Sequence, residues 1–282
     1  MFTAIRPPLR AIVPIALAAA AVFGAAPSQA ADDIIAGSLT NSPPMIAYAA
    51  DGTTLQGMIV DLAAAMSKQM GRTIVFKPMA FPALIPALEA KNIDIAFTVM
   101  NDTPEREKVL DFVDFYNFGT KLLVKKGNPE HVESLETACG KTVSTVQGST
   151  QIKLADEMSA ACTKAGKPPI TVMQYAQPSD ARLQVQTGRV AAFLGNSPVM
   201  VYLAKTAGDG QIFDVVANHE YQPVPIGIAV PKQNTALRDQ LKKSLDAVIA
   251  DGTYLKILQK HGLEGGNIGS SAPINGGKNV KI

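Results

Sequence analysis

Residues 73–106 read TIVFKPMAFPALIPALEAKNIDIAFTVMNDTPER. Thr73 to Phe76 is a run of β-branched and aromatic residues, which suits a strand. Pro82 opens a helical stretch whose apolar stripe is Leu84, Ile85 and Leu88. Ile93 to Phe97 is strand-like again, and Thr103-Pro104 predicts another helix with proline at its first position. Strands and helices in alternation predict a mostly parallel sheet with helices on its faces.

The pattern extends in both directions. Upstream, Ile34–Ile35 starts a short strand that runs into a loop at Pro43–Pro44, and Asp51-Gly52 marks a turn. Leu62, Ala65, Met66 and Met70 recur at helical spacing, with Gly71 placed to end the helix. Downstream, Thr120 to Val124 is strand-like and is closed by Lys125, Lys126 and Gly127. A second series follows. It predicts strands at Thr142–Val146, Ile170–Met173 and Val190–Leu194, with helices from near Gln151, over Asp180–Gln186 and over Pro198–Ala207. Pro225 to Val230 is one more strand. Leu237, Leu241, Leu245 and Ile249 give an amphipathic helix, and Tyr254–Lys260 a last short one. The Gly/Asn/Ser-rich tail from Gly265 to Ile282 is predicted to be irregular.

Two such series predict two α/β lobes, with Thr120–Val124 and Pro225–Val230 as the crossings between them. The second lobe is then an insertion, residues 120–221, in a first lobe made of 31–119 and 222–262, with 263–282 as the tail. Ligands of open α/β sheets bind beyond the carboxyl ends of strands, which for two facing lobes means a cleft.

The chain of 282 residues is longer than one ordinary domain, and its 47% apolar content supplies a core. With 26 Lys+Arg against 24 Asp+Glu, there is no bulk charge to attract nucleic acid. Tryptophan is absent, so an aromatic clamp would use Phe or Tyr. At the N-terminus, Arg6 and Arg10 precede the apolar run Ala11–Ala26, and Pro27-Ser28-Gln29-Ala30 has small residues suited to cleavage after Ala30. This predicts an export signal, the alternative being a membrane anchor, for which the run is short and alanine-rich. Cleavage removes Arg6 and Arg10 and leaves 252 residues with 24 basic and 24 acidic side chains. No cysteine follows the run to carry lipid, and no other segment is long and apolar enough to span a bilayer. The expected product is soluble and exported. Oxidising surroundings then predict a disulfide between Cys139 and Cys162, the only two cysteines, stabilising by about 3 kcal/mol. Two cysteines and three histidines at these spacings do not form a metal ligand set, and no cofactor is expected.

Arg106 lies where Thr103-Pro104 predicts the first turn of a helix, a position whose dipole disfavours a cation. Either it forms a surface ion pair with Asp102, Glu105 or Glu107, or it binds an anionic ligand such as a carboxylate. Thr98 and Asn101, just past a strand, put polar groups beside it. Gly148-Ser149-Thr150 stands between a strand and a helix, where hydroxyls cap the helix or bind an anion. Phe81 is either core or an apolar wall for a ligand. Asp61 is read as a helix-start charge, and neither it nor Asp94 is assigned to catalysis. Nucleophile-elbow, phosphate-loop, dinucleotide and zinc-helix motifs are missing.

Several of these segments resemble a known family. Gly57–Leu62 (GMIVDL), Phe81–Leu88 (FPALIPAL), Asn92-Ile93-Asp94, Thr103-Pro104-Glu105-Arg106, Gly148-Ser149-Thr150, Gly188-Arg189-Val190 and Asp251-Gly252-Thr253-Tyr254 occur in an order similar to that of the family 3 solute-binding proteins. These are periplasmic receptors of polar amino acid ABC importers, and the resemblance covers about residues 33–262. It implies an α/β fold of the periplasmic binding protein-like type II: two α/β lobes joined by two crossing strands, with the ligand cleft between them. It also implies that Arg106 holds the ligand α-carboxylate, with Ser149 and Thr150 contacting it from lobe two. Thr98, Val99 and Asn101 would line lobe one, and Phe81 would be the wall.

Two positions depart from the family pattern. Asn196 stands where many members have an Asp that pairs with the ligand ammonium, and Ser42 stands where many have an aromatic. A neutral and a charge-assisted bond differ by about 1 kcal/mol. Carboxylate capture is thus retained while a free α-amino group is placed in question. The implied partners are a small carboxylate, an amino acid or a derivative, and an ABC permease of the inner membrane. Nucleic acid is not expected, and the protein should be a monomer in the periplasm. The alternatives are a dehydratase-like periplasmic enzyme, which would need a general acid or base in the cleft, and a sensory ligand-binding module.

Overall fold

The computed structural model describes residues 1–4, 32–216 and 220–279. The export signal predicted over residues 1–30 lies outside the described residues apart from its first four. The chain divides into two units, Met1–Ala30 and Ala31–Ile282, and only the second is described below.

Its first stretch runs β1 (Ile34–Ser38), β2 (Asn41–Ser42), β3 (Ile46–Tyr48), β4 (Leu55–Gln56), α1 (Met58–Met70), β5 (Ile74–Pro78), α2 (Leu84–Glu89) and β6 (Ile95–Ala96). The long strand β7 (Leu110–Lys125) leads to β8 (Thr142–Val146), α3 (Thr150–Lys164), β9 (Thr171–Tyr175), α4 (Pro178–Gln186), β10 (Ala192–Asn196), α5 (Ser197–Thr206) and β11 (Phe213–Val215). A second long strand, β12 (Tyr221–Pro231), returns to α6 (Thr235–Ala250) and α7 (Thr253–His261).

The main sheet has the order β5-β1-β6-β12-β7-β10-β8-β9, with β11 on β7. Pairings at its two ends are parallel: β1 with β5 and β6, and β8 with β9 and β10. β7 and β12 pair antiparallel along most of their length in the middle. The predicted α/β alternation therefore holds in two separate runs, joined at these two strands. A small antiparallel sheet, β2-β3-β4, stands apart.

Local chemistry explains the helix bounds. α1 stops where Gly71 takes a left-handed conformation, φ 64°. α6 begins at Asn234, whose side chain accepts from Leu237 N, and buries Leu237, Leu241, Leu245 and Val248. Two apolar clusters result. The larger holds Ile34, Leu62, Phe97, Phe115 and Leu245, and the smaller holds Leu122, Val143, Leu154 and Ile170. Cys162 belongs to the smaller cluster, and the predicted disulfide to Cys139 is formed, with the Cα atoms 5.6 Å apart. No described helix is long and apolar enough to cross a membrane.

Two predictions need correction. The helix expected from Thr103-Pro104 is only a 3₁₀ turn, Arg106–Lys108, because the chain enters β7 at Leu110 and leaves no room for a longer helix. The strand read at Thr120–Val124 is the last third of β7. Residues 110–119 are buried on both faces except Asn117, Asp111 and Asp114 included, so no apolar–polar alternation marks them. The tail is irregular as predicted, with only short 3₁₀ turns among its described residues, and it is docked on the fold. Ile274 bridges Val113, and Asn275 accepts from Phe112 N at 2.8 Å while donating to Asp111 Oδ1 at 3.0 Å.

Candidate ligand-binding site

The site forms where the ends of β1, β6, β8 and β10 meet. After β6 the chain continues through Thr98, Val99 and Asn101. After β8 it turns at Gly148, where φ is +76°, a conformation that favours glycine. That turn carries Ser149 to the start of α3 and presents the Gly148 carbonyl to Arg106. The Ser149 hydroxyl makes no capping bond to α3 and lies 3.2 Å from Thr145 Oγ1. Capping therefore does not account for this serine.

Arg106 is held by carbonyls rather than by a carboxylate. Nη1 donates to Asn101 O at 2.7 Å and Nη2 to Gly148 O at 3.1 Å. The guanidinium carbon lies 5.3 Å from the centre of the Phe81 ring, within cation–π range. Thr150 Oγ1 donates to Asn101 Oδ1 at 3.0 Å, a second link between the two runs of the fold. A third is Asn41 Nδ2, which donates to Gln177 Oε1 at 3.1 Å. Burial brings the Arg106 guanidinium down to about 10, with the charge of Asp102 opposing the change. It stays protonated at neutral pH and has two of its five N–H groups engaged by these carbonyls.

The predicted residues fall into two adjoining spaces. Ser42, Phe81, Val99, Asn101, Ser149 and Asn196 line an inner cavity. Arg106, Ser149 and Thr150 line an outer groove with Thr103, Glu105, Gly148 and Lys153. Ser149 belongs to both, and Phe81 stands between the cavity and the guanidinium. Thr98 lines neither. It is fully buried and its hydroxyl accepts from Leu39 N at 3.3 Å, so it supports the wall from behind.

Gln151 is a site residue that the sequence did not reveal. Its Nε2 donates to Thr120 Oγ1 at 3.0 Å and to Asn196 Oδ1 at 3.2 Å, which orients the Asn196 amide. Leu39, Val146, Phe193, Val199 and Met200 complete the apolar wall. They come from four separate segments, and each reads locally as ordinary core. Only the position of Gln151 directly after Ser149-Thr150 could have marked it.

Behind Arg106 lies a buried acidic cluster. Asp102, Glu107 and Asp114 each have one buried carboxylate oxygen without a hydrogen-bond partner. Gly277 N donates to Asp102 Oδ2 at 2.8 Å and Gly276 N to Asp114 Oδ2 at 2.9 Å. Burial, reinforced by the neighbouring negative charges, pushes both carboxyls well above the ordinary carboxylate range despite these amides.

The architecture is that of the type II periplasmic amino acid-binding proteins. The chain belongs to family 3 of the bacterial extracellular solute-binding proteins, whose family model matches residues 34–264. It is 30% identical over 245 residues to the putative ABC transporter arginine-binding protein 2 of Escherichia coli K12, covering 86% of this chain and 97% of that protein. An ancestral arginine-binding protein bound to glutamine is similar in structure, with a TM-score of 0.73, 32% identity, and coverage of 82% of this chain and 98% of that one. Another similar structure is an ancestral amino acid-binding protein described as a precursor of cyclohexadienyl dehydratase. Its TM-score is 0.71 at 28% identity, with coverage of 81% and 95%.

Proposed function

We propose that this chain is the substrate-binding component of an ABC transporter and captures a small amino acid or amino-acid-like carboxylate in the periplasm. The observation that carries this reading is the placement of Arg106: a half-buried cation bridging Asn101 O and Gly148 O, next to the Ser149 hydroxyl. A carboxylate entering beside it would meet a guanidinium fork, a hydroxyl and the amides at the start of α3, the donor set for a planar anion. Family membership and the named amino acid-binding relatives support the same reading.

Residues 31–119 with 222–262 form one lobe in this proposal and residues 120–221 the other. They hinge at β7 and β12, and the links from Arg106 and Thr150 belong to the closed form. The chain is exported with cleavage after Ala30, acts as a monomer and hands its ligand to an inner-membrane permease. The inner cavity is lined by apolar residues, Ser, Asn and Gln. It offers no group to act as general acid or base, which weighs against a dehydratase-like enzyme.

Isothermal titration of Arg106→Ala tests the proposal. Affinity for a small carboxylate ligand is expected to fall about 100-fold or more, since losing one partner of a buried charged pair costs about 2–5 kcal/mol. Unchanged affinity would remove Arg106 from carboxylate capture.

A further inference from the structure

The inner cavity contains no charged side chain. Leu39, Val99, Val146, Phe193, Val199 and Met200 supply most of its wall. Its polar groups are the hydroxyls of Ser42 and Ser149 and the amides of Asn101, Gln151 and Asn196. Asn101 and Asn196 are already tied, to Thr150 and Gln151 respectively. The nearby carboxylates face elsewhere. Glu105 lines the outer groove together with Lys153. Asp102 accepts from Gly277 and sits beside Glu107 and Asp114, behind Arg106.

A cation pushed into such a cavity would lose its hydration and gain no counter-charge. We infer that the cavity selects a carboxylate whose tail is uncharged and apolar, and that it rejects basic amino acids. This sets the chain apart from the relatives named for arginine. The inference rests on the reading of this cavity and Arg106 as one ligand site, with the carboxylate at Arg106 and the tail against the apolar wall. Ser149 lines both the cavity and the Arg106 groove and so joins the two.

The test compares pairs of compounds that differ only in the charge of the tail. Ligand-stripped mature protein is titrated calorimetrically with norleucine and lysine, then with hexanoate and 6-aminohexanoate. The second pair covers a ligand without an α-amino group. The uncharged member is expected to bind about 100-fold more tightly or better in whichever pair binds. Equal or tighter binding of lysine or 6-aminohexanoate would overturn the inference while leaving carboxylate capture standing. Norleucinamide separates the two readings from the other side. If it binds as tightly as norleucine, capture at Arg106 fails and the apolar tail site survives. If no member of either pair binds, both readings fall.

Discussion

At the scale of single residues, neutral and charged groups divide the work. Arg106 is fixed across the two runs of the fold, and it stands in the groove rather than in the cavity. Asn196 is neutral and its orientation is set by Gln151. Asp114 shows what burial does to a carboxylate. Its raised pKa means that the folded state holds a proton that the unfolded chain releases near pH 4. The stabilising contribution is fully present below that ordinary value and is lost as pH rises above it. Asp114→Asn keeps an acceptor for Gly276 N and removes the titration. Urea unfolding at pH 6 and pH 9 should show the wild type losing stability between the two, and the variant losing about 1 kcal/mol less. An equal loss in both proteins would show that Asp114 does not retain its proton.

At the scale of elements, β7 and the tail form one unit. Residues 274–277 supply partners to Val113, Phe112, Asp111, Asp114 and Asp102 in turn. Truncation after Ala272 would leave the Phe112 N–H and three buried carboxyls without these partners. Each buried polar group so exposed to loss costs about 1–3 kcal/mol. Such a truncated protein should therefore unfold at clearly lower denaturant, by at least about 2 kcal/mol. An unchanged midpoint would mean that the tail is not part of the cooperative fold. Apolar periodicity identified most helices and parallel strands here, because α1 and α6 each turn one stripe to the core. It did not find the first two thirds of β7, where every residue but Asn117 is buried, or the docking of the tail, which pairs residues more than 160 positions apart.

At the scale of the whole molecule, the proposed closed form carries hydrogen bonds between the two runs of the fold: Arg106 to Gly148, Thr150 to Asn101, and Asn41 to Gln177 and Ser179. Each is worth only about 1 kcal/mol net, so a bound ligand can decide between open and closed forms. Small-angle scattering should show the radius of gyration of the stripped protein fall on saturation with a ligand confirmed by calorimetry. An unchanged radius would refute hinge closure. The sequence by itself determined the α/β alternation, the pairing of its two cysteines and the Thr-Pro-Glu-Arg segment that singles out Arg106. All three are written in local spacing or in the simple count of a residue type. The tertiary structure alone decided that Arg106 bridges two carbonyls instead of opening a helix, and that Thr98 stands behind the wall. It also decided that Leu39, Val146 and Phe193 share one cavity with no charge in it. A cavity wall gathered from distant strand ends has no spacing to read, because its members become neighbours only when the sheet assembles.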